Sequence, residues 1–421
     1  MPIPIPRAEQ NKMMQYDVTI IGGGAAGLTA ALSASGKGKR VLILEAASRA
    51  GRKLLATGNG RCNLLNMGAP RYPGGEGLAL AALRQYPAAR VRAFFEGLGL
   101  ATCQEEGGRV YPACGQAAAV LDVLRGAAEE RGVELRCDAR TTALEKTNRG
   151  FRLTTPQGAL ESKTVVAACG GMAGENLGHD GAAYALFTGL GHSLRAPRPA
   201  LAPLTTEKSA VRGLKGLRLP ALLTLCDGEL PVEAAQGEAL FTDYGVSGVC
   251  AMQLSRKAGE LLEKKRRPVL YLDFSPMIGL IPRVYDRAPA QAPGGNFQAM
   301  EAYLRQRAHT LRPENLLRGL TPRLLSQRLE GLSLAETARM LCAFPAPVTG
   351  VRGMGQAQVT RGGLKCEDFD PADFASRLVP GLFAAGEVLD VDGDCGGYNL
   401  LFAFASGLIA GKAAARRAAG I

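Results

Sequence analysis

The chain has 421 residues, 47% hydrophobic and 21% charged, which fits two or three packed domains and excludes a disordered chain. With no Trp and only 5% aromatic residues, an aromatic platform for stacking single-stranded nucleic acid is a poor reading. The formal charge of +12 favours anionic partners such as phosphorylated cofactors, nucleic acid or acidic membrane surfaces.

Residues 1–15 are polar and Pro-rich, without the apolar run of a signal peptide, and read as a loose extension or as an upstream start before Met13 or Met14. Residues 16–21 (YDVTII) form a β-rich run that meets GGGAAG at 22–27, and an Ala-rich helix follows to about Ser35. Gly36 and Gly38 break it, and residues 40–44 (RVLIL) make a second apolar run ending at Glu45. This is a β-turn-α-β unit of the expected length, about 30 residues. Gly22 permits the tight turn, Gly24 lets a diphosphate reach the backbone, and Gly27 lets helix and strand pack closely. The N–H groups of Ala25 and Ala26 open the helix at its positive end, and Glu45 with Ala46 stands where an adenosine ribose would bind.

A Gly-rich polar stretch, GRKLLATGNGRCNLLN, occupies residues 51–66. Helices are expected at 88–97 and 117–131, strands at 133–137 and 165–169, and a hairpin of 151–155 with 160–163 around Gln157 and Gly158. From about 195 the texture changes to Pro clusters and short strands, and residues 255–340 look mostly helical. Strand-and-glycine texture returns near 358–360 and 382–385, then a Gly-rich turn leads to a terminal helix from Tyr398. The apolar stretch 400–410 is too short to span a bilayer. The expected division is an α/β domain from 14–194 plus 346–421, a β-rich inserted domain at 195–254 with strands near 341–350, and a basic helical domain at 255–340. Residues 195–349 hold 21 Lys and Arg against 14 Asp and Glu, densest at Arg256, Lys257 and the run 264–267. Such a run is either a solvated helix face or a surface for RNA.

The ten cysteines include no C-x-x-C pair, so they read as free thiols of a reducing cytoplasm rather than zinc or redox motifs. Three histidines scattered at 179, 192 and 309 make a metal site improbable, and His179 and His192 read as structural. Gly170-Gly171-x-x-Gly174 lacks the pattern of a second dinucleotide fold, so any NAD(P)H must visit the site transiently.

The glycine loop alone does not separate FAD from NAD. Residues 381–411 resemble the second flavin motif of flavoproteins with two dinucleotide sites. Gly386-Glu387 would set a carboxylate near the ribityl chain, and Asn399 and Leu400 would aim N–H groups at the flavin edge where charge builds on reduction. In the middle motif, Arg52 and Lys53 are cations close behind the diphosphate loop, and Gly60, Arg61 and Asn63 offer donors and close backbone approach. Cys62 is either an inert core thiol, or a proton donor or cofactor-contacting neighbour of the flavin.

GRKLLATGNGRCN (51–63), EEGGRVYP (105–112), RPALAPL (198–204), FTDYGVSG (241–248), QVTRGG (358–363) and GEVLDVDGDCGGYN (386–399) resemble the BaiN-like, or aminoacetone-oxidase-labelled, family of FAD-binding oxidoreductases. The resemblance runs in order from Tyr16 to Gly411. It implies a Rossmann-like FAD-binding domain of glutathione-reductase type, with an inserted β-rich domain and a helical domain. It also implies non-covalent FAD, an adenine contact through the backbone of Thr141, and a contact at Gly170. Asp243 and Val249 stand where some relatives would show His and Pro, so no role resting on that His carries over. Family members are linked to reduction of conjugated C=C bonds, one branch resembling ribosomal RNA dihydrouridine synthases and another resembling reductases of unsaturated 3-oxo bile acids. The acid that completes such a reduction would be Cys62, Cys395 or Tyr398. The basic insertion tilts the substrate toward uridine in ribosomal RNA, with a small enone as the alternative and no stable protein partner expected. A flavin-containing RNA or ribosome-binding factor without turnover, and an oxidase of small amines, are further readings.

Overall fold

The computed structural model describes residues 15–36, 38–177, 180–284 and 286–420; His179 lies outside them. The chain divides into two compact units, residues 1–198 with 360–421, and residues 199–359.

The first unit starts with β1 (Gln15–Ile21), α1 (Ala25–Ala34) and β2 (Val41–Leu44). All of β2 and most of β1 and α1 are buried, as required of a parallel strand pair covered on both faces. A short α2 (Arg52–Ala56) and β3 (Leu65–Asn66) follow, then helices α3 (Glu76–Gln85) and α4 (Ala88–Gly97), β4 (Thr102–Gln104) and β5 (Arg109–Pro112). Strands β3, β5 and β4 form a small antiparallel sheet. Helix α5 (Ala117–Glu130) leads to β6 (Glu134–Arg136) and to the antiparallel meander β7 (Ala143–Thr147), β8 (Gly150–Thr155) and β9 (Gly158–Ala167). Strands β6, β2, β1 and β9 lie parallel in that order.

Residues 160–163 and 165–169, expected as separate strands, belong largely to β9. No Gly or Pro interrupts 159–167, so one strand serves the hairpin with its first half and the parallel sheet with its second. Helix α6 (Tyr184–Thr188) and β10 (Leu194–Ala200) close the first pass.

The second unit holds β11 (Leu204–Thr206), α7 (Lys208–Val211), β12 (Arg218–Asp227), β13 (Leu230–Phe241), β14 (Gly245–Ser247), α8 (Val249–Glu263), β15 (Pro268–Asp273), β16 (Asp286–Ala288), α9 (Phe297–Ala308), α10 (Arg323–Arg328), α11 (Leu334–Cys342) and β17 (Phe344–Val351). Its sheet runs β12-β15-β17-β11-β14-β13-β16, and β12 also pairs with β13, closing the strands into a barrel-like ring. Phe241, Phe274 and Phe344 meet in its core at centroid separations of 6.0–6.5 Å. The expectation of a mostly helical 255–340 misses β15, a strand of this ring whose PVLYLD sequence is rich in β-formers. Leu304, Leu325 and Leu341 of α9, α10 and α11 share the core of the strands.

The chain returns through β18 (Val359–Leu364), which pairs with β10, and β19 (Leu382–Ala384), which lies parallel to β9. It ends in α12 (Tyr398–Ala418). At 21 residues α12 is longer than the apolar stretch suggested and could cross a membrane by length and composition alone. Here it is a core helix. A Cβ at Gly407 would lie 2.4 Å from the carbonyl oxygen of Ala26, and one at Gly411 would lie 2.0 Å from that of Ala30. The backbones of α1 and α12 therefore touch, which brings the two ends of the chain together.

Candidate functional site

The glycine loop is shaped by what cannot fit. Gly22 has φ +108°, and a Cβ there would lie 2.4 Å from the carbonyl oxygen of Ala168. At Gly27 it would lie 1.9 Å from the carbonyl oxygen of Gly22. Gly24, which caps α1, has nothing within 4 Å of that position and no side-chain cap. The first N–H groups of α1, including those of Ala25 and Ala26, therefore face an open approach, the arrangement that binds a diphosphate. Glu45 is half-buried and held by backbone donors: Gly23 N–H and Ala47 N–H each donate to one carboxylate oxygen at 2.8 Å. Ala46 between them is exposed. Asp138 and Ala139 donate to the carbonyls of Ala47 and Glu45, tying the turn before Thr141 to the same edge. The buried Thr141 hydroxyl oxygen has no partner among the described residues.

A second cluster joins the middle and C-terminal motifs. Lys53 Nζ lies 2.5 Å from Glu387 Oε2, and Glu387 Oε1 accepts the Thr360 N–H at 2.8 Å. Thr360 Oγ1 accepts the N–H groups of Met172 and Ala173, both at 2.8 Å, which fixes the turn after Gly170. A Cβ on Gly171 would lie 2.3 Å from Thr360 Oγ1 and 3.1 Å from Glu387 Cδ. Gly386 has φ +74°, and its Cβ would lie 2.7 Å from the Ala26 methyl, so the Gly-Glu turn rests on the first turn of α1. Arg52 begins α2, which is tied to the glycine loop by Gly51 N–H donating to the Gly23 carbonyl at 3.0 Å.

The third cluster gathers at the start of α12. Gly397 caps that helix with φ +102°, and a Cβ there would lie 2.8 Å from Asn63 Oδ1, a buried oxygen without a partner. Gly60 has open space on its Cβ side. Asn66 Nδ2 donates to the carbonyls of Gly396 at 2.8 Å and Gly107 at 3.2 Å, holding the 393–397 loop against the small sheet. The Asn399 carboxamide turns back on that loop, bonded to Gly393 N–H and O at 2.8 and 2.9 Å. What Asn399 and Leu400 offer outward is therefore backbone N–H at a helix start. Arg61 is exposed, paired with Glu105 and stacked 4.2 Å above the Tyr111 ring, so its guanidinium is already engaged.

The three acid candidates differ in access. Cys62 is fully buried, and burial pushes its thiol up to about 12 against the opposing hydrogen bond with Thr57. Tyr398 is 4% exposed, its carbonyl accepting the Tyr72 hydroxyl at 2.8 Å. Cys395 is half-buried; burial raises its thiol, Arg109 opposes that shift and Asp394 adds to it. Cys62 is placed as a core thiol, whereas Cys395, in the loop before α12, is only partly buried as a residue. Thr360, Asn66 and Arg109 were not singled out from sequence. The first two act through hydrogen bonds to residues far along the chain, which no spacing reveals.

This arrangement matches a known pattern across almost the whole chain, residues 16–413 fitting the HI0933-like protein Rossmann domain. The chain belongs to the HI0933-like family. It is 33% identical to the 3-dehydro-bile acid delta(4,6)-reductase of Clostridium scindens, over 95% of this chain and 99% of that protein. It is 26% identical to the ribosomal RNA dihydrouridine synthase of Escherichia coli, over 94% and 96% respectively. In fold it resembles the 3-ketosteroid delta1-dehydrogenase of Sterolibacterium denitrificans, with a TM-score of 0.52 and 14% identity, over 96% of this chain and 100% of that one. This HI0933-like protein is thus a flavin oxidoreductase by family, with a Rossmann-like FAD-binding domain.

Its residues fit FAD. The open glycine loop suits the diphosphate, Glu45 and the turn before Thr141 suit the adenosine, and Gly386, Glu387 and Lys53 suit the ribityl chain. The unpartnered oxygens of Thr141 and Asn63 are what a bound ligand would satisfy.

Proposed function

We propose that this HI0933-like protein reduces a C=C bond conjugated to a carbonyl, that NAD(P)H is the electron donor, and that the substrate is uridine in ribosomal RNA. FAD, when bound, supplies the two-electron reduction of the β-carbon of such an enone. The chain's own residues do the rest. The start of α1 holds the diphosphate, and the start of α12 presents N–H donors that favour negative charge. Cys395, protonated at neutral pH, is the group we assign to deliver a proton to the α-carbon.

The observation that carries the RNA reading is the cationic surface of the second unit. Lys264, Lys265, Arg266 and Arg267 are all exposed at the end of α8, and among the described residues only Arg266 of that run is drawn into a carboxylate pair, with Asp227. Lys208, Arg212, Arg312, Arg318 and Arg323 add further exposed cations. Phosphate contacts of this kind supply most of the affinity for RNA. The dihydrouridine synthase relative supports the same substrate class.

A second reading, a small 3-oxo enone, is favoured by the higher identity to the bile acid reductase. One experiment separates them. The purified protein is reduced anaerobically with NADH or NADPH, then offered unmodified ribosomal RNA or a 3-oxo-Δ4 steroid, and flavin absorbance is followed. Reoxidation by RNA with dihydrouridine formed supports the first reading; reoxidation by the steroid alone replaces it with the second. Reduction without reoxidation by either leaves a flavin-containing binder. The ten free cysteines are in keeping with a reducing, cytoplasmic setting.

A further inference from the structure

Among the described residues, the buried polar atoms without a partner include one that no motif points to, the Tyr184 hydroxyl. Tyr184 is 5% exposed and opens α6. A buried hydroxyl that makes no hydrogen bond loses the water it left behind, so native structures rarely keep one without a reason.

Its surroundings are those of the FAD site. Tyr184 N–H donates to the Gly181 carbonyl at 3.1 Å, and Gly181, at φ +74°, packs so that a Cβ there would lie 2.8 Å from the Met172 side chain. Met172 N–H donates to Thr360, whose own N–H donates to Glu387. Helix α6 is thereby anchored to the turn after Gly170 and, through Thr360, to the Gly386-Glu387 turn. Burial holds the phenol above its ordinary range, and the ionisable groups it feels are Cys169, Glu387 and Asp390, in that order. Cys169 is also a neighbour of the glycine loop: its Cα lies 2.8 Å from where a Cβ of Gly22 would stand. Tyr184 is thus within electrostatic reach of Cys169, which adjoins the glycine loop, and of Glu387.

We propose that the Tyr184 hydroxyl donates a hydrogen bond to the diphosphate–ribityl portion of FAD and is a cofactor-positioning contact of this protein. The proposal rests on the FAD reading above. It predicts opposite effects in the two states of the protein. Without FAD, Tyr184→Phe removes an unmet polar group and keeps the ring packing. With FAD, it removes a bond.

The full-length protein is freed of flavin, and FAD affinity is measured by fluorescence quenching alongside the melting temperature of the apoprotein. Tyr184→Phe should raise the Kd for FAD about tenfold, while the apoprotein melts at the same temperature or higher. A Kd within about twofold of wild type overturns the proposal. So does an apoprotein melting temperature that falls with the affinity, because the residue is then structural. Wild-type apoprotein that takes up no FAD overturns the cofactor reading itself, a result distinct from either.

Discussion

Lys53 and Glu387, 334 positions apart, form an ion pair of 2.5 Å, with side chains 23% and 20% exposed. The pair joins α2, which follows the glycine loop, to the turn before α12, so it fastens the two halves of the FAD-binding unit. Thr360 N–H holds the other carboxylate oxygen, so Glu387 stays oriented when Lys53 is lost.

Lys53→Met and Glu387→Gln should each lower stability by about 1 kcal/mol, with a coupling of about 0.5–1.5 kcal/mol in the double-mutant cycle. Urea denaturation of the apoprotein measures it. Additive single effects would show that the pair is not a fastener.

Two glycines should separate packing from cofactor binding. Gly411→Ala drives a methyl into the backbone of α1 and should cost about 1–3 kcal/mol of stability. Gly24→Ala meets no protein atom within 4 Å, and its φ of −87° suits alanine. It should melt as wild type without FAD, yet bind FAD at least about tenfold more weakly because the methyl fills the diphosphate approach. Normal FAD affinity in Gly24→Ala would remove the diphosphate from this loop.

Much of this was legible before any coordinates. Gly22 and Gly27 announce themselves because a Cβ at either would strike backbone, and the apolar run of β2 marks a strand covered on both faces. The return of the chain to the same unit was readable from Gly386 and the helix start at Tyr398. What was not legible depends on distant partners. Nothing local to Arg61 says that Glu105 and Tyr111 engage it, and nothing near Cys62 says that it is sealed in the core. The strand β15 falls in a stretch whose texture suggests helix because a six-residue run between helical segments lacks enough periods to decide.

The thiols give a pH dependence with a definite sign. Cys62 has an ordinary value near 9 when unfolded and about 12 when folded, so the native state keeps a proton that the unfolded chain has lost in that window. Stability from this group is complete below about pH 9 and declines as pH rises toward 12, by about 1.4 kcal/mol per pH unit. Cys62→Ala should flatten the alkaline slope of stability by one proton while leaving turnover near wild type. A large loss of kcat in Cys62→Ala would reinstate it as a catalytic group.

Cys395 should act on turnover where Cys62 acts on stability. If it is the proton donor it must be protonated, and its raised thiol should keep activity flat through neutral pH, with decline only above the ordinary thiol range. Cys395→Ser should lower kcat by about 10²–10⁴ and abolish the alkaline decline, since a hydroxyl does not ionise there. A pH profile of Cys395→Ser with the wild-type alkaline limb would assign the acid elsewhere, with Tyr398 next in access.

The substrate reading is tested by salt. If Lys264 and Arg267 touch phosphates, neutralising each as Lys264→Gln and Arg267→Gln should weaken binding of a ribosomal RNA fragment, and the slope of log affinity against log salt should fall by about one per contact. Both residues are exposed at the end of α8, so the substitutions should leave folding and FAD content unchanged. Reoxidation of the reduced flavin by a 3-oxo steroid, which carries no phosphate, should be indifferent to both changes. RNA affinity unaltered by the double substitution, at low and at high salt, would take this basic run out of substrate recognition and leave the lipophilic enone as the better-supported substrate.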